Sequence, residues 1–359
     1  MKASAEPAPA VDMTMRSGFL PDRIIHLHPT RLCNLACLHC YSESGLHEKA
    51  ALDPKVLGNA LDALWTEGYR AISLSGGEPL VYRPLRSVIE QAKELGYRVT
   101  MVSNGLLATA RADEILALLD GMAISFDGLA ATHDRIRARS GAFALASNAL
   151  ERLADRGLPV AAAISLTRDA LPELPELADH LTGLGAKALQ IRPVAMAGRA
   201  RTMEGFSRYT PTDLARRYLV ALALQEELAP KVKVHCDLAP AQGLWQERDA
   251  YAGLLGSCAV LPYEQRPLAE LVNPLVITDT GMIKPVAYDF HHRYTIARID
   301  GALPEALAAY KAEGLDGFRT LIGHTLAGMR DRNDLMDWFD HCTRASELHM
   351  VEPGPLATT

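Results

Sequence analysis

The sequence predicts an α/β chain: a parallel sheet, barrel-like or doubly wound, followed by a smaller α+β module. Three observations lead there. Seven short apolar segments recur between residues 24 and 238, most of them end in Gly, Ser or Asn, and helical stretches separate them. Short apolar runs bounded by turn residues and alternating with helices read as buried parallel strands. In either kind of sheet, acting groups gather at the C-terminal strand ends.

The elements follow in order. The opening MKASAEPAPAVDMTMRSG is rich in Ala and Pro and lacks the apolar stretch of a secretory signal, so residues 1–22 read as a flexible tail and the protein as cytoplasmic. The strand segments are IIHLH (24–28), AISLSG (71–76), VTMVSNG (99–105), MAISFDG (122–128), VAAAISL (160–166), LQIRPV (189–194) and VKVHCDL (232–238). LDPKVLGNALDALWTEGY is the clearest helix: Asp53 is placed to cap it, Pro54 opens it, and Val56, Leu57, Ala60, Leu61, Leu64 and Trp65 share one face. Residues 23–238 form the main domain. From 239 to 359 the pattern weakens into loops and hairpins, then a helical stretch over roughly 303–345, which reads as a smaller module packed on the first.

Composition sets outer bounds. The chain has 359 residues, 48% of them hydrophobic, enough for a large core. A formal charge of −6 gives no global basic footprint, which argues against nucleic acid as a partner. No apolar run reaches the ~18 residues of a membrane span.

Half of the six cysteines, Cys33, Cys37 and Cys40, fall within RLCNLACLHC. Clustered thiols in a reducing compartment point to metal. Buried structural cysteines are the first alternative, but these flank Asn34 and His39 in a loop-like stretch, not an apolar face. Structural zinc, with His26, His28 or His39 as fourth ligand, is the second; it favours paired C-x2-C units, and only one is present.

The C-x3-C-x2-C triplet after a first strand, followed by Ser75-Gly76-Gly77-Glu78-Pro79 at the end of a second, resembles the radical S-adenosylmethionine (radical SAM) superfamily. The resemblance implies a partial (βα)6 TIM-like barrel. It implies that Cys33, Cys37 and Cys40 hold three irons of a 4Fe–4S cluster, with the fourth iron left to the amino and carboxylate groups of SAM. Soft thiolates suit such clusters. The reduced cluster would cleave SAM to methionine and a 5′-deoxyadenosyl radical that takes a hydrogen atom from substrate. Where the family often has an aromatic residue before the third cysteine, this chain has His39, which is expected to act from behind the ligands.

The same resemblance assigns the SAM site. Gly76, Gly77 and Glu78, with Pro79, would meet the SAM amino group; Gly permits close backbone approach and a carboxylate accepts from an ammonium. Ser103 and Asn104 at the third strand end, and Ser125 at the fourth, are polar or ribose contacts. Arg137 in THDRIRARSGAF is the best match for the arginine that pairs with the SAM carboxylate, with Arg135 and Arg139 close by. Ile191, with Leu189, would flank adenine.

Cys236, Cys258 and Cys342 remain. Residues 258–298 resemble the start of a SPASM or twitch extension, but Val286 stands where a cysteine is expected after Gly281, and the C-x2-C-x5-C run is absent. One auxiliary cluster, a clusterless substrate lid and plain core cysteines are the open readings. The resemblance implies an enzyme that modifies a ribosomally made peptide, or else a sugar or nucleoside. It would be served by a flavodoxin- or ferredoxin-type electron donor and, for a peptide, by a separate recognition protein. A non-catalytic metal-binding scaffold is the alternative of another class.

Overall fold

The structure, a computed structural model, describes residues 23–202, 208–255 and 261–348. Seven strands, β1 (Ile24–Leu27), β2 (Ala71–Leu74), β3 (Arg98–Ser103), β4 (Gly121–Phe126), β5 (Val160–Leu166), β6 (Ala188–Pro193) and β7 (Lys233–Cys236), lie side by side in chain order. Every neighbouring pair is parallel. Each predicted segment contains one strand. Several stop short of the predicted end because Ser75, Asn104 and Asp127 leave the ladder and turn into loop.

The crossover helices are α1 (Pro54–Thr66), α2 (Leu85–Glu94), α3 (Ala108–Ile115), α4 (Ala130–Arg137), α5 (Ala142–Asp155), α6 (Leu174–Gly183) and α7 (Pro211–Leu228). Helix α1 starts as the sequence predicts: the Asp53 carboxylate accepts from the backbone N–H of Lys55 and Val56 at 2.9 and 3.1 Å. Its face of Leu57, Ala60, Leu61 and Leu64 is buried in one core with Ile25 and Leu27 of β1. Each such Leu contributes about 1.5–3 kcal/mol through burial.

The sheet is a partial, TIM-like barrel, and alternation sorts its side chains. On β1, Ile25 and Leu27 enter the core while Ile24, His26 and His28 face inward. On β4 and β5 the inward residues are small, among them Ala123, Ser125, Ala163 and Ser165. A closed barrel normally fills its interior with Val, Ile and Leu; this one is left hollow.

After residue 239 the chain adds to the same sheet. Leu275–Ile277 pairs in parallel with the free edge of β1, Met282–Pro285 pairs antiparallel with it, and Ala297–Arg298 follows. The three-residue run Leu275–Ile277 is too short to read as a strand in the sequence. The predicted helical stretch resolves into Leu303–Ala309, a π-helical turn at Tyr310–Gly314, Leu315–Ala327 and Trp338–Leu348. No helix among the described residues is long and apolar enough to cross a membrane.

Buried polar bonds stitch this extension to the barrel. The Tyr69 hydroxyl donates to the carbonyl of Val272 at 2.6 Å, the Ile24 N–H donates to Asn273 Oδ1 at 3.0 Å, and Lys311 Nζ meets both oxygens of Glu67 at 2.8 and 3.0 Å. Tyr69 is fully buried. Tyr69→Phe leaves the Val272 carbonyl without its partner and should cost about 1–3 kcal/mol. Urea unfolding should show this as a lower midpoint at unchanged slope.

Candidate active site

The hollow of the barrel is a cavity of about 520 Å³. Its lining includes Cys33, Cys37 and Cys40, the strand ends Ser75 to Glu78, Ser103, Asn104, Ser125 and Arg137. The structure thus brings the three cysteines and most of the predicted SAM contacts to one wall.

The cysteine loop is held by its own chain at several points. Gly77 N–H donates to the Thr30 carbonyl at 2.8 Å and Glu78 N–H to that of Leu32 at 3.0 Å. These contacts leave no room for side chains: a Cβ on Gly77 would sit 2.1 Å from the Leu32 oxygen, and Gly76, at φ +108°, would bring one within 2.9 Å of the Thr30 oxygen. The glycines therefore approach the chain's own backbone. Farther along, Leu38 N–H donates to the Ile136 carbonyl at 2.8 Å. Arg199 clamps the loop: its Nε donates to the Cys37 carbonyl at 2.8 Å, its Nη1 to that of Ser44 at 2.9 Å, and its backbone N–H to that of Cys40 at 3.0 Å. A Cβ on the preceding Gly198 would lie 2.4 Å from the carbonyl oxygens of Cys40 and Tyr41. Arg199 was not singled out from sequence, although Gly198-Arg199, five residues beyond the β6 end, was the signal.

Glu78 is buried, and its carboxylate serves the chain. Oε1 accepts from Leu80 N–H and the Ser103 hydroxyl at 3.1 and 2.9 Å; Oε2 accepts from Asn104 N–H at 2.9 Å. Burial pushes this carboxyl up, and the three donors offset part of the rise. Asn104 in turn donates from Nδ2 to Asn34 Oδ1 at 2.7 Å, beside Cys33. The β2 and β3 ends are thereby fastened to the cysteine loop.

Asp127 is fully buried at the end of β4. Both Nε and Nη2 of Arg137 donate to it, Nη2 at 3.1 Å, and His39 Nε2 donates at 2.7 Å. The remaining terminal nitrogen of Arg137, Nη1, lies 3.9 Å from Cys37 Sγ. Burial alone would raise the Asp127 carboxyl, but Arg137 and then His39 hold it well below the usual range. Burial pushes the Cys33 thiol up to about 12 and also raises Cys37, where Arg137 opposes it.

Other expected residues separate. Pro79 is buried in a short helical turn and its side chain does not line the cavity. Arg135 and Arg139 are exposed, leaving Arg137 as the arginine of that trio facing the cavity. Ile191 is a correction: strand alternation sends it, with Leu189, into the outer core, while Gln190 and Arg192 line the cavity. Cys342 is buried in the core, and Cys236 packs against the same core and does not face the cavity. Cys258 lies outside the described residues. Among the described residues, no three His, Cys, Asp or Glu side chains converge on a position for a single metal ion.

Further lining residues, among them Tyr41, Arg192, Asp237, Tyr288 and Asp337, were not singled out from sequence. His28 stacks on Tyr288 with centroids 4.9 Å apart, Tyr41 meets both edge-on, and Tyr288 donates to buried Asp279 at 2.6 Å. Burial lowers His26 to about 4 and His28 to about 3, so both are neutral. Asp237 accepts from Gln190 and pairs with Arg192 at 3.4 Å. Asp337 also lines the cavity, and burial, then the charge of Asp237, raise its carboxyl to about 7.

A hollow parallel barrel with three thiols on a braced loop at its C-terminal rim defines the class, and the family comparison agrees. Residues 27–181 match the model of the radical SAM superfamily. It is 28% identical over 202 residues to the sporulation killing factor maturation protein SkfB of Bacillus subtilis, which covers 56% of this chain and 48% of that protein. It is 32% identical over 194 residues to an AdoMet-dependent heme synthase of Oleidesulfovibrio alaskensis, covering 52% and 49%. The chain thus spans about half the length of the curated relatives it matches. The fold is shared with Streptococcus suis SuiB bound to its precursor peptide SuiA, at a TM-score of 0.62 and 14% identity, covering 82% of this chain and 66% of that one.

Two outcomes follow from this geometry. Gly77→Ala collides with the Leu32 carbonyl and should abolish iron and sulfide uptake on anaerobic reconstitution, while an exposed control, Gly301→Ala, should take up iron normally. Asp337 has a raised folded-state pKa, so its contribution to stability is present at low pH and is lost as pH rises toward 7. Asp337→Asn keeps an oxygen for the N–H groups of Phe339 and Asp340, which Asp337 now accepts at 3.0 and 3.1 Å. Melting curves should therefore show the variant gaining on wild type between pH 5 and pH 8.

Proposed function

We propose that the chain is a radical SAM enzyme of the SPASM/twitch-like branch that modifies a ribosomally made peptide. The observation that carries this is the braced loop presenting Cys33, Cys37 and Cys40 to one cavity, beside the polar ends of β2, β3 and β4. The donor set fits a 4Fe–4S cluster: three thiols around open volume, with no convergence on a single ion and with His39 already engaged by Asp127. When bound and reduced, such a cluster supplies an electron to SAM, which yields the 5′-deoxyadenosyl radical that takes hydrogen from substrate.

The chain's own residues hold and orient. Cys33, Cys37 and Cys40 ligate; Arg199 and Asn104 keep their loop in place. The Gly76 and Gly77 carbonyls and the Ser125 hydroxyl offer SAM partners at the strand ends, and Glu78 Oε2, with one donor bound, keeps one lone pair. Residues 239–348 serve as a covering module, and among the described residues Cys236 and Cys342 stay on its core side, away from the cavity.

The cavity, at about 520 Å³, lies within the roughly 300–1,000 Å³ range of small-molecule pockets. Two of the three proteins named above support the peptide reading, one being named as a killing-factor maturation protein and SuiB being solved with a precursor peptide, while the third is named as a heme synthase. A low-potential flavodoxin or ferredoxin is the fitting electron donor, and a separate protein would recognise the peptide.

Anaerobically reconstituted protein should carry about four irons and, with dithionite and SAM, release 5′-deoxyadenosine. Cys37→Ala should release none. Equal, near-zero release from both proteins would refute the enzyme reading.

A further inference from the structure

Superfamily resemblance hands Arg137 to the carboxylate of SAM, yet its nitrogens are already committed. Nε and Nη2 grip Asp127, which is fully buried and is further fixed by His39 at 2.7 Å; Nη1 lies 3.9 Å from Cys37 Sγ. His133 Nδ1 lies 3.8 Å from the same carboxylate. On the loop itself, Arg199 holds the Cys37 carbonyl, not its sulfur. A guanidinium fork locked on a buried carboxylate is fixed in angle; of the three N–H groups it keeps, two are on Nη1, the nitrogen that faces the thiol.

We propose that Arg137 serves the cluster through Cys37 and not the SAM carboxylate, with Asp127 and His39 as the positioning residues that aim it. This rests on the radical SAM reading. An N–H donated to a ligating sulfur, and positive charge beside it, stabilise the more negative, reduced cluster and raise its potential. Asp127 tempers the charge of Arg137 and holds its angle. His39, where the family has an aromatic ring, supplies the third contact to that carboxylate.

The two members of the pair therefore act on the potential with opposite signs, which a merely structural role would not produce. In EPR-monitored redox titrations of the reconstituted protein without SAM, Arg137→Gln leaves Asp127 uncompensated. It should lower the ratio of reduced to oxidised cluster at fixed potential at least tenfold, a shift of about 59 mV for one electron. Asp127→Asn leaves Arg137 uncompensated and should shift the potential upward. His39→Gln, which keeps an N–H for Asp127, should hold the wild-type value; His39→Phe should fall below it. The dissociation constant for SAM should stay within threefold of wild type in Arg137→Gln.

A tenfold or larger rise in that constant with an unchanged potential would return Arg137 to the SAM carboxylate and overturn the proposal. Shifts of the same sign in Arg137→Gln and Asp127→Asn would also overturn it. If Arg137→Gln binds no cluster, Arg137→Lys decides: it keeps the charge beside Asp127 but loses the fork, so it should lower the potential at unchanged SAM affinity, and the reverse pattern overturns the proposal. Wild-type protein that takes up no iron would instead defeat the underlying radical SAM reading.

Discussion

The arrangement depends on one close approach: the backbone of Thr30–Leu32 lying directly on Gly76 and Gly77. Two interstrand N–H donors reach across that contact, at 2.8 and 3.0 Å. They fix where the loop leaves β1, and so where the three thiols enter the cavity. Glu78 follows at once and carries the constraint to the β3 end by accepting from Ser103 and Asn104. Asn104 returns it to the loop at Asn34. Three strand ends and the cysteine loop are thus one closed circuit of hydrogen bonds, buried away from competing water.

That circuit changes how the Gly-Gly-Glu stretch is understood. Glycine beside a ligand site suggests that the ligand needs room. Here the room is taken by the chain itself, and the open volume lies beside β4 and β5, which present Ala and Ser to it. The cavity arises because inward positions were kept small, at the cost of apolar contact that a filled barrel would have gained. Loss of that contact is offset outside the barrel, where Ile25, Leu27, Leu57, Leu61 and Leu64 are fully buried.

Much of this was legible in the sequence, and what was missed shares a physical cause. Short apolar runs ending in turn residues located seven strands, and the period-3.6 pattern located the capped helix α1, because those signals are local. The cysteine triplet and the strand-end motifs were legible because spacing along the chain fixes them. Ile191 was misplaced because alternation is visible in a strand while its absolute facing is not: one residue's slip exchanges core and cavity. Arg199, Tyr288 and Asp337 were missed because each reaches the site from a separate segment more than a hundred residues from the cysteines. Asp127 was visible as part of a strand-end motif, but its grip on Arg137 and His39 depends on burial, which no single sequence position reports.

Leu275–Ile277 closes the outer edge of β1. During synthesis, β1 gains β2 as soon as residue 74 has emerged, but its other edge waits for residue 277, roughly 200 residues later. At about 5–20 residues per second that is on the order of 10–40 s. For that interval the strand bearing the cysteine loop has one bare edge and the barrel one uncovered seam. A cluster delivered during translation would meet the loop through this seam, whereas one delivered afterwards would enter by the rim of the finished cavity.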